Sequence, residues 1–264
     1  MKQQIKKAYK SLLFYGFDGK KFLKAINPKS NNWFNKDLKE LKKQKGTDDT
    51  FKFGPKYPIL TDKNEEGGVM NGHYFHQDLY VAKLINITKP KKHLDIGSRT
   101  DGFVAHVASY REIELIDIRD IKSNVKNIVF RKADLMKLPP ELINYCDSIS
   151  SLHAIEHFGL GRYGDPVDYF GYLKAINNIV KILKSGGNFY FSVPIGPQRI
   201  EFNAHRVFSL NYLTSILSQN FTIHSFSYVN DEGDFYEDVQ LSKDNMDSNF
   251  GCHYGCGIFT LIKK

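Results

Sequence analysis

From residue 91 onward, short apolar runs alternate with stretches of helical periodicity, and this alternation narrows most what the chain can become. Lys92 to Gly97 reads as a strand ending in a glycine turn. Ile113 to Asp117, Asn127 to Phe130, Cys146 to Leu152, Asn188 to Pro194, Thr222 to Val229 and Gly257 to Ile262 read as further strands. Helices are expected over 101–110, 168–183 and 210–218, the second closed by the C-cap signal Lys184-Ser-Gly-Gly187. Strands alternating with helices imply an α/β fold, a doubly wound and mostly parallel sheet covered on both faces. The last two strands, joined without an evident helix, suggest an antiparallel hairpin at the sheet's C-terminal edge.

The first part of the chain is different. Residues 1–45 read as amphipathic helices, with Ile5, Tyr9, Leu12 and Leu13 on one face. A turn is expected over 27–32, and then Trp33, Phe34, Leu38 and Leu41 repeat at helical spacing. Residues 46–72 are rich in Gly, Pro, Asp and Asn and read as an irregular connector. Tyr74 to Ile87 is a further helix, with Phe75, Leu79, Ala82 and Ile85 on one side. The expected division is a Lys-rich helical extension with its connector over 1–72 and a second domain over 73–264.

Charge follows the same division. The net charge is +8, but residues 1–56 hold 15 Lys against 5 acidic residues, and the remainder holds 22 basic against 24 acidic residues. The excess is lysine, 30 Lys against 7 Arg, whereas bidentate base and phosphate contacts favour arginine. Nucleic acid is therefore the disfavoured partner. The apolar runs are strand-sized and no apolar leader follows the charged start, so neither a membrane span nor a signal peptide is expected. Three cysteines in 264 residues suggest a reducing compartment and a cytoplasmic protein.

In an open α/β sheet, ligands bind beyond the carboxyl ends of the strands at the switch point. The first turn reads Asp95-Ile-Gly-Ser-Arg-Thr-Asp-Gly102, where Gly97 allows close backbone approach and the next helix offers amides. Asp117, at the end of the second strand, suits the two hydroxyls of a ribose. Asp134, in Ala133-Asp134-Leu135 after the third strand, suits an adenine amino group. Together they specify an adenosine-containing cofactor. The turn has Arg99 where a nicotinamide site would have its second glycine, and no Gly-Lys-Ser/Thr phosphate loop is present.

These segments resemble the class I S-adenosylmethionine-dependent methyltransferases, over roughly residues 73–264. The carrying residues are His93 to Gly97, Ile116-Asp117, Ala133-Asp134-Leu135, Ser151 to His157 with its Glu156-His157 pair, and Leu183 to Pro194 with its Lys-Ser-Gly-Gly turn. More narrowly, His73 to Asp78, Asp95 to Phe103 and Gly159 to Asp165 look like a bacterial group of this fold associated with surface-glycan gene neighbourhoods. The resemblance implies a Rossmann-like seven-strand sheet, an S-adenosylmethionine site and methyl transfer, with S-adenosylhomocysteine as product. It also implies that Asp95, Gly97 and Ser98 line the methionine end, Asp117 holds ribose, and Asp134 with Leu135 holds adenine. His153 would lie beside the cofactor, and Tyr74 and Gln77 would cap it. The glycine turn departs from the common pattern, since Arg99 and Asp101 replace two glycines and Gly102 falls one place late. Arg99 is accordingly expected near the methionine carboxylate.

A hydroxyl acceptor needs a base, and histidine titrates in the right range. The expected base is His157 or His205, with Glu156 orienting it, and Arg162, Tyr163 and Arg206 holding an anionic or sugar substrate. His153, Glu156 and His157 could share a metal, and Cys252 with Cys256 resembles half a zinc site. No second ligand pair lies nearby, so the cysteines read as packing residues and no metal is assigned. The expected function is O-methylation of a sugar, nucleotide sugar or surface-glycan precursor, possible phosphorylation of which the Lys-rich extension would serve. The alternatives are a nucleic-acid-binding protein or RNA/DNA methyltransferase using the basic N-terminus, and a non-catalytic S-adenosylmethionine-binding protein. The oligomeric state is not legible.

Overall fold

The structure is a computed structural model, and it describes residues 28–60, 62–64, 66–122 and 124–264. The apolar face expected at Ile5, Tyr9, Leu12 and Leu13 lies outside the described residues. The chain divides into two compact units, Met1–Val69 and Met70–Lys264. In the first, helix α1 (Pro28–Lys45) covers residues where a turn was expected. Trp33, Phe34 and Leu38 are half-buried, while Leu41 is exposed. Lys63 lies over the Trp33 ring and pairs with Asp37. The connector is irregular apart from one turn of 3₁₀-helix at Asp62–Asn64.

The second unit is built on one sheet. Its strands are β1 (His93–Ile96), β2 (Ile113–Asp117), β3 (Ile128–Lys132), β4 (Cys146–Leu152), β5 (Leu183–Ile195), β8 (Phe221–Val229), β9 (Phe235–Tyr236) and β10 (Gly255–Lys263). A separate two-stranded hairpin pairs β6 (Arg199–Glu201) with β7 (His205–Val207). The main sheet runs β3-β2-β1-β4-β5-β10-β8-β9. It thus has eight strands rather than the seven expected, because Tyr236 and Phe235 pair with Tyr228 and Val229. The last two expected strands, β8 and β10, do pair antiparallel on this side of the sheet, with β10 between β5 and β8 and antiparallel to both. The order reverses at β1 and β4, which pair in parallel, and this is the switch point where a ligand is expected.

Helices α2 (His73–Thr88), α3 (Ala105–Ala108), α4 (Gly171–Ile182), α5 (Leu210–Leu217) and α6 (Lys243–Asp247) complete the unit. Alternation along β5 shows how the layers divide. Phe189, Phe191, Val193 and Ile195 pack with α4 and α5, while Tyr190 packs with α2 and α3. The sheet is therefore covered on both sides. No helix among the described residues is long and apolar enough to cross a membrane.

Three local expectations fail for identifiable reasons. The buried face of α2 is Gln77, Asp78, Val81, Ala82 and Ile85, and Phe75 and Leu79 are exposed. Two polar residues take the inward positions because they find buried partners, Gln77 with Ser192 and Asp78 with Gln77. The helix expected from Asp101 opens as a π-helical turn at Thr100–Val104, with the Val104 amide donating to Arg99 O five residues back. Finally, α4 ends on an extended Leu183, not on the glycine pair, and Gly186 turns with φ +74° four residues beyond Ile182.

Candidate active site

The carboxyl ends of β1, β2 and β4 converge on two adjoining cavities. The larger, about 710 Å³, is lined by Tyr74, Gly97 to Asp101, Asp117, Arg119 to Ile121, His153, Glu156, His157, Arg162, Tyr163, Ala204, His205 and Tyr254. The smaller is lined by Ile96, Gly97, Ile116 to Arg119, Ala133 to Met136, His153, Ala154, His157, Phe158, Tyr163 and Asp165. Gly97, Asp117, Arg119, His153, His157 and Tyr163 border both.

The turn after β1 is built from within. Gly97 has φ +69°, and a Cβ there would lie 3.1 Å from Ala154 Cβ. Asp95 is fully buried beneath this turn. Its carboxylate accepts from the Ser98 amide at 3.0 Å, the Ser98 hydroxyl at 2.7 Å and the Ser150 hydroxyl at 2.5 Å. Burial pushes its pKa up to about 6 against the pull of those hydrogen bonds. The Ser98 hydroxyl in turn accepts from the Leu152 amide, tying the turn to the end of β4.

Four expected site residues therefore line neither cavity. Asp95 supports the turn from beneath. Gln77 is buried, accepting from Ser192 at 2.6 Å. Gly102 leaves room for the Asp78 carboxylate, which a Cβ would strike. Arg206 is 4% exposed, and its guanidinium donates to the Glu156, Phe158 and Tyr169 carbonyls. Tyr74, Gly97, Ser98, Arg99, Asp117, His153, Glu156, His157, Arg162, Tyr163 and His205 are brought together on the larger cavity. Asp134 and Leu135 border the smaller.

At the end of β2, Arg119 forms a fork on Asp117, through Nε at 3.0 Å and Nη2 at 2.7 Å, and its amide donates at 2.7 Å. The same guanidinium lies 4.3 Å from the Tyr163 ring centroid. The Asp134 carboxylate accepts from the Met136 amide at 2.9 Å. Arg99 pairs with Asp101 and lies over the Tyr74 ring.

The loop after β4 supplies the titratable groups. His153 sits at φ +50°, directing its ring under His73 and Tyr74. A 3₁₀ turn at Ile155–His157 then places the carboxylate of Glu156, 1% exposed, 2.8 Å from His153 Nδ1 and 3.7 Å from His157 Nε2. Burial opposes ionisation of Glu156, but the two histidines prevail and hold its pKa below the ordinary value. Burial likewise resists charge on His153, yet the Cys256 sulfur and Glu156 carry its pKa well above the ordinary value. His157 moves the other way: burial lowers its pKa despite Glu156. Its Nδ1 donates to Ala204 O at 2.6 Å, which leaves Nε2 as the basic nitrogen. Arg162 donates to the same carbonyl at 2.9 Å. Asp165 holds this loop by accepting from the Gly159, Gly161 and Tyr163 amides. His205 Nε2 lies 3.1 Å from Glu201 Oε2, off the direction of a hydrogen bond, and its ring packs on Tyr254.

Sequence reasoning missed Arg119, Tyr254 and His73. Arg119 is two residues past Asp117 and carried a signal in that spacing. Tyr254 carried one only as part of the Cys252–Cys256 segment. His73 carried one only as part of the run His73 to Asp78, which gave it no role, since its neighbours in space come from other elements.

Comparison with known proteins matches residues 104–251 to the family described as "Caenorhabditis protein of unknown function, DUF268". The chain belongs to the DUF268 family. No curated protein matches it. The DUF268 chain is similar in fold to the 1,6-didemethyltoxoflavin-N1-methyltransferase of Burkholderia thailandensis, solved with 1,6-didemethyltoxoflavin and S-adenosylhomocysteine, at 14% identity and TM-score 0.50, covering 71% of this chain and 78% of that one. It is also similar to the N-methyltransferase NodS of Bradyrhizobium japonicum WM9, solved with S-adenosylhomocysteine, at 14% identity and TM-score 0.47, covering 73% and 88%. At such identities a likeness is one of fold alone, and that to the Burkholderia thailandensis enzyme agrees with the mostly parallel, Rossmann-like sheet of the DUF268 chain.

Proposed function

We propose that this DUF268 chain is an S-adenosylmethionine-dependent methyltransferase acting on a hydroxyl of a sugar, nucleotide sugar or glycan precursor. The observation that carries the reading is Asp117. It is a carboxylate at the end of the second strand, bordering both cavities, in line with a left-handed glycine at the end of β1 and Asp134 after β3. The residues present fit an adenosine-bearing cofactor: a Cβ at Gly97 would crowd the turn, and Asp117 and Asp134 both line the smaller cavity.

S-adenosylmethionine, when bound, supplies a methyl group made electrophilic by its sulfonium. Asp117 would accept from the ribose hydroxyls, Asp134 from the adenine amino group, and Gly97, Ser98 and Arg99 would line the methionine end. His157 would remove the acceptor's proton at Nε2, with its Nδ1–H held by Ala204 O. Glu156, ionised and 3.7 Å from that nitrogen, would stabilise the imidazolium that forms. His157 suits the base role better than His205, because it borders both cavities while His205 borders one. Arg99, Arg119, Arg162 and Tyr163 line the larger cavity, which suits a hydroxyl-rich or anionic acceptor.

Calorimetric titration with S-adenosylhomocysteine tests the cofactor, and transfer of a labelled methyl group to a panel of nucleotide sugars tests the acceptor. Saturable binding and transfer to at least one sugar are expected. Absence of binding would overturn the cofactor reading, and transfer to RNA or DNA alone would overturn the acceptor.

A further inference from the structure

We propose that His73, His153 and Cys256 form a three-ligand site for a zinc-class divalent cation. These residues come from the first turn of α2, the exit of β4 and the start of β10, and one donor atom from each lies within 4.8 Å of the others. Two imidazoles and a thiolate form the mixed nitrogen and sulfur set that Zn²⁺ favours.

A second observation points to a ligand independently. The His153 ring is held by its Nδ1 donating to Glu156 Oε1 at 2.8 Å, which leaves Nε2 as the nitrogen a cation would take on displacing its proton. That Nε2 is buried with no hydrogen-bond partner, in a residue 8% exposed. A carboxylate behind one ring nitrogen and an unpartnered second nitrogen in front make the arrangement that orients metal-bound histidines. The His73 and His153 rings are stacked at 5.3 Å with 3° between their planes. Tetrahedral zinc separates such donors by about 3.4–3.6 Å, so side-chain shifts of about 1 Å would close the site. Cys252 and Cys146 are buried elsewhere as free thiols and take no part.

Three protein ligands leave a fourth position open, and His153 borders both cavities, so an acceptor oxygen or sulfur could complete the shell. That role rests on the methyl-transfer reading, whereas cation binding does not.

The test uses the full chain, stripped with a chelator and titrated with Co²⁺ and then Zn²⁺. One equivalent of Co²⁺ should bind, with a thiolate-to-cobalt charge-transfer absorption that Zn²⁺ abolishes. Cys256→Ser should lose that absorption, His73→Ala and His153→Ala should weaken binding at least tenfold, and Cys252→Ser should change neither. Thermal unfolding and circular dichroism report whether each variant is folded. The half-buried His73 provides a milder truncation should Cys256→Ser fail to fold. Absence of the absorption in folded wild-type protein, its survival in folded Cys256→Ser, or unaltered affinity in folded His73→Ala would each overturn the site. Because no turnover is measured, failure of the metal site is distinct from failure of the methyltransferase reading.

Discussion

Replacing Asp117 with alanine should weaken S-adenosylhomocysteine binding on the order of 100-fold. The side chain is 9% exposed and already serves as a charged acceptor for three donors of Arg119. Two ribose hydroxyls bonded to that carboxylate would each contribute about 1.5–3 kcal/mol, as hydrogen bonds to charged groups do. The lower end applies here, because the carboxylate must share itself between ribose and guanidinium. Two such bonds give about 3 kcal/mol, and 1.4 kcal/mol is tenfold in Kd. Loss of the carboxylate does not strand a buried cation, since the Arg119 side chain is 52% exposed, so the variant should fold. Asp117→Asn keeps one accepting oxygen and should fall between the two, near tenfold. Isothermal titration of all three proteins, with circular dichroism as the folding control, makes the comparison. A folded alanine variant whose Kd stays within threefold of wild type would refute both the ribose assignment and the cofactor reading that depends on it.

His157→Ala should abolish methyl transfer while leaving S-adenosylhomocysteine affinity within threefold. Since burial lowers the His157 pKa, and a base must be unprotonated, the acid limb of kcat against pH should have its midpoint below 6.5 in the wild type. Asp78 is buried and its pKa is raised to about 6 from 3.8, so the folded state holds its proton more tightly than the unfolded chain. Its contribution to stability is full below about pH 4 and is lost as the pH rises through about 6; Asp78→Asn should flatten that part of a Tm-against-pH curve. Gly159 has φ +77° and lies against the Asp168 backbone carbonyl, so Gly159→Ala should cost at least 1–2 kcal/mol and lower Tm by several degrees in a scanning-calorimetry comparison.

Much of the fold was legible because period-2 and period-3.6 patterns are local. Strands β1, β2, β4 and β8 fall within a residue or two of the runs that announce them. The glycine turn and the two aspartates at consecutive strand ends were legible for the same reason, since position along a strand fixes which end of the sheet a residue occupies. What escaped depends on partners far away in sequence. Gln77 belongs inside because of Ser192, 115 residues later, and nothing near Gln77 announces it. Arg206 looked like a substrate ligand from its place after the fifth strand, but three backbone carbonyls claim it. The two-residue strand β9 is too short to carry any pattern. Asp95 shows a subtler limit: the resemblance implies that it lines the methionine end, and only its burial reveals that it builds the turn from below.

The place of β10 bears on how this protein is made. The strand that fills the gap between β5 and β8 is the last of the eight in chain order, and it pairs with both neighbours along nearly its whole length. Until residues 255–263 leave the ribosome, β5 and β8 each present an unpaired edge, and Phe191 and Phe226 lack the cover of Phe259. The nascent chain therefore carries one sticky edge from the completion of β5 and a second from the completion of β8 until β10 arrives. Premature termination within the final strand should yield chains that aggregate or are degraded rather than a shortened but folded protein.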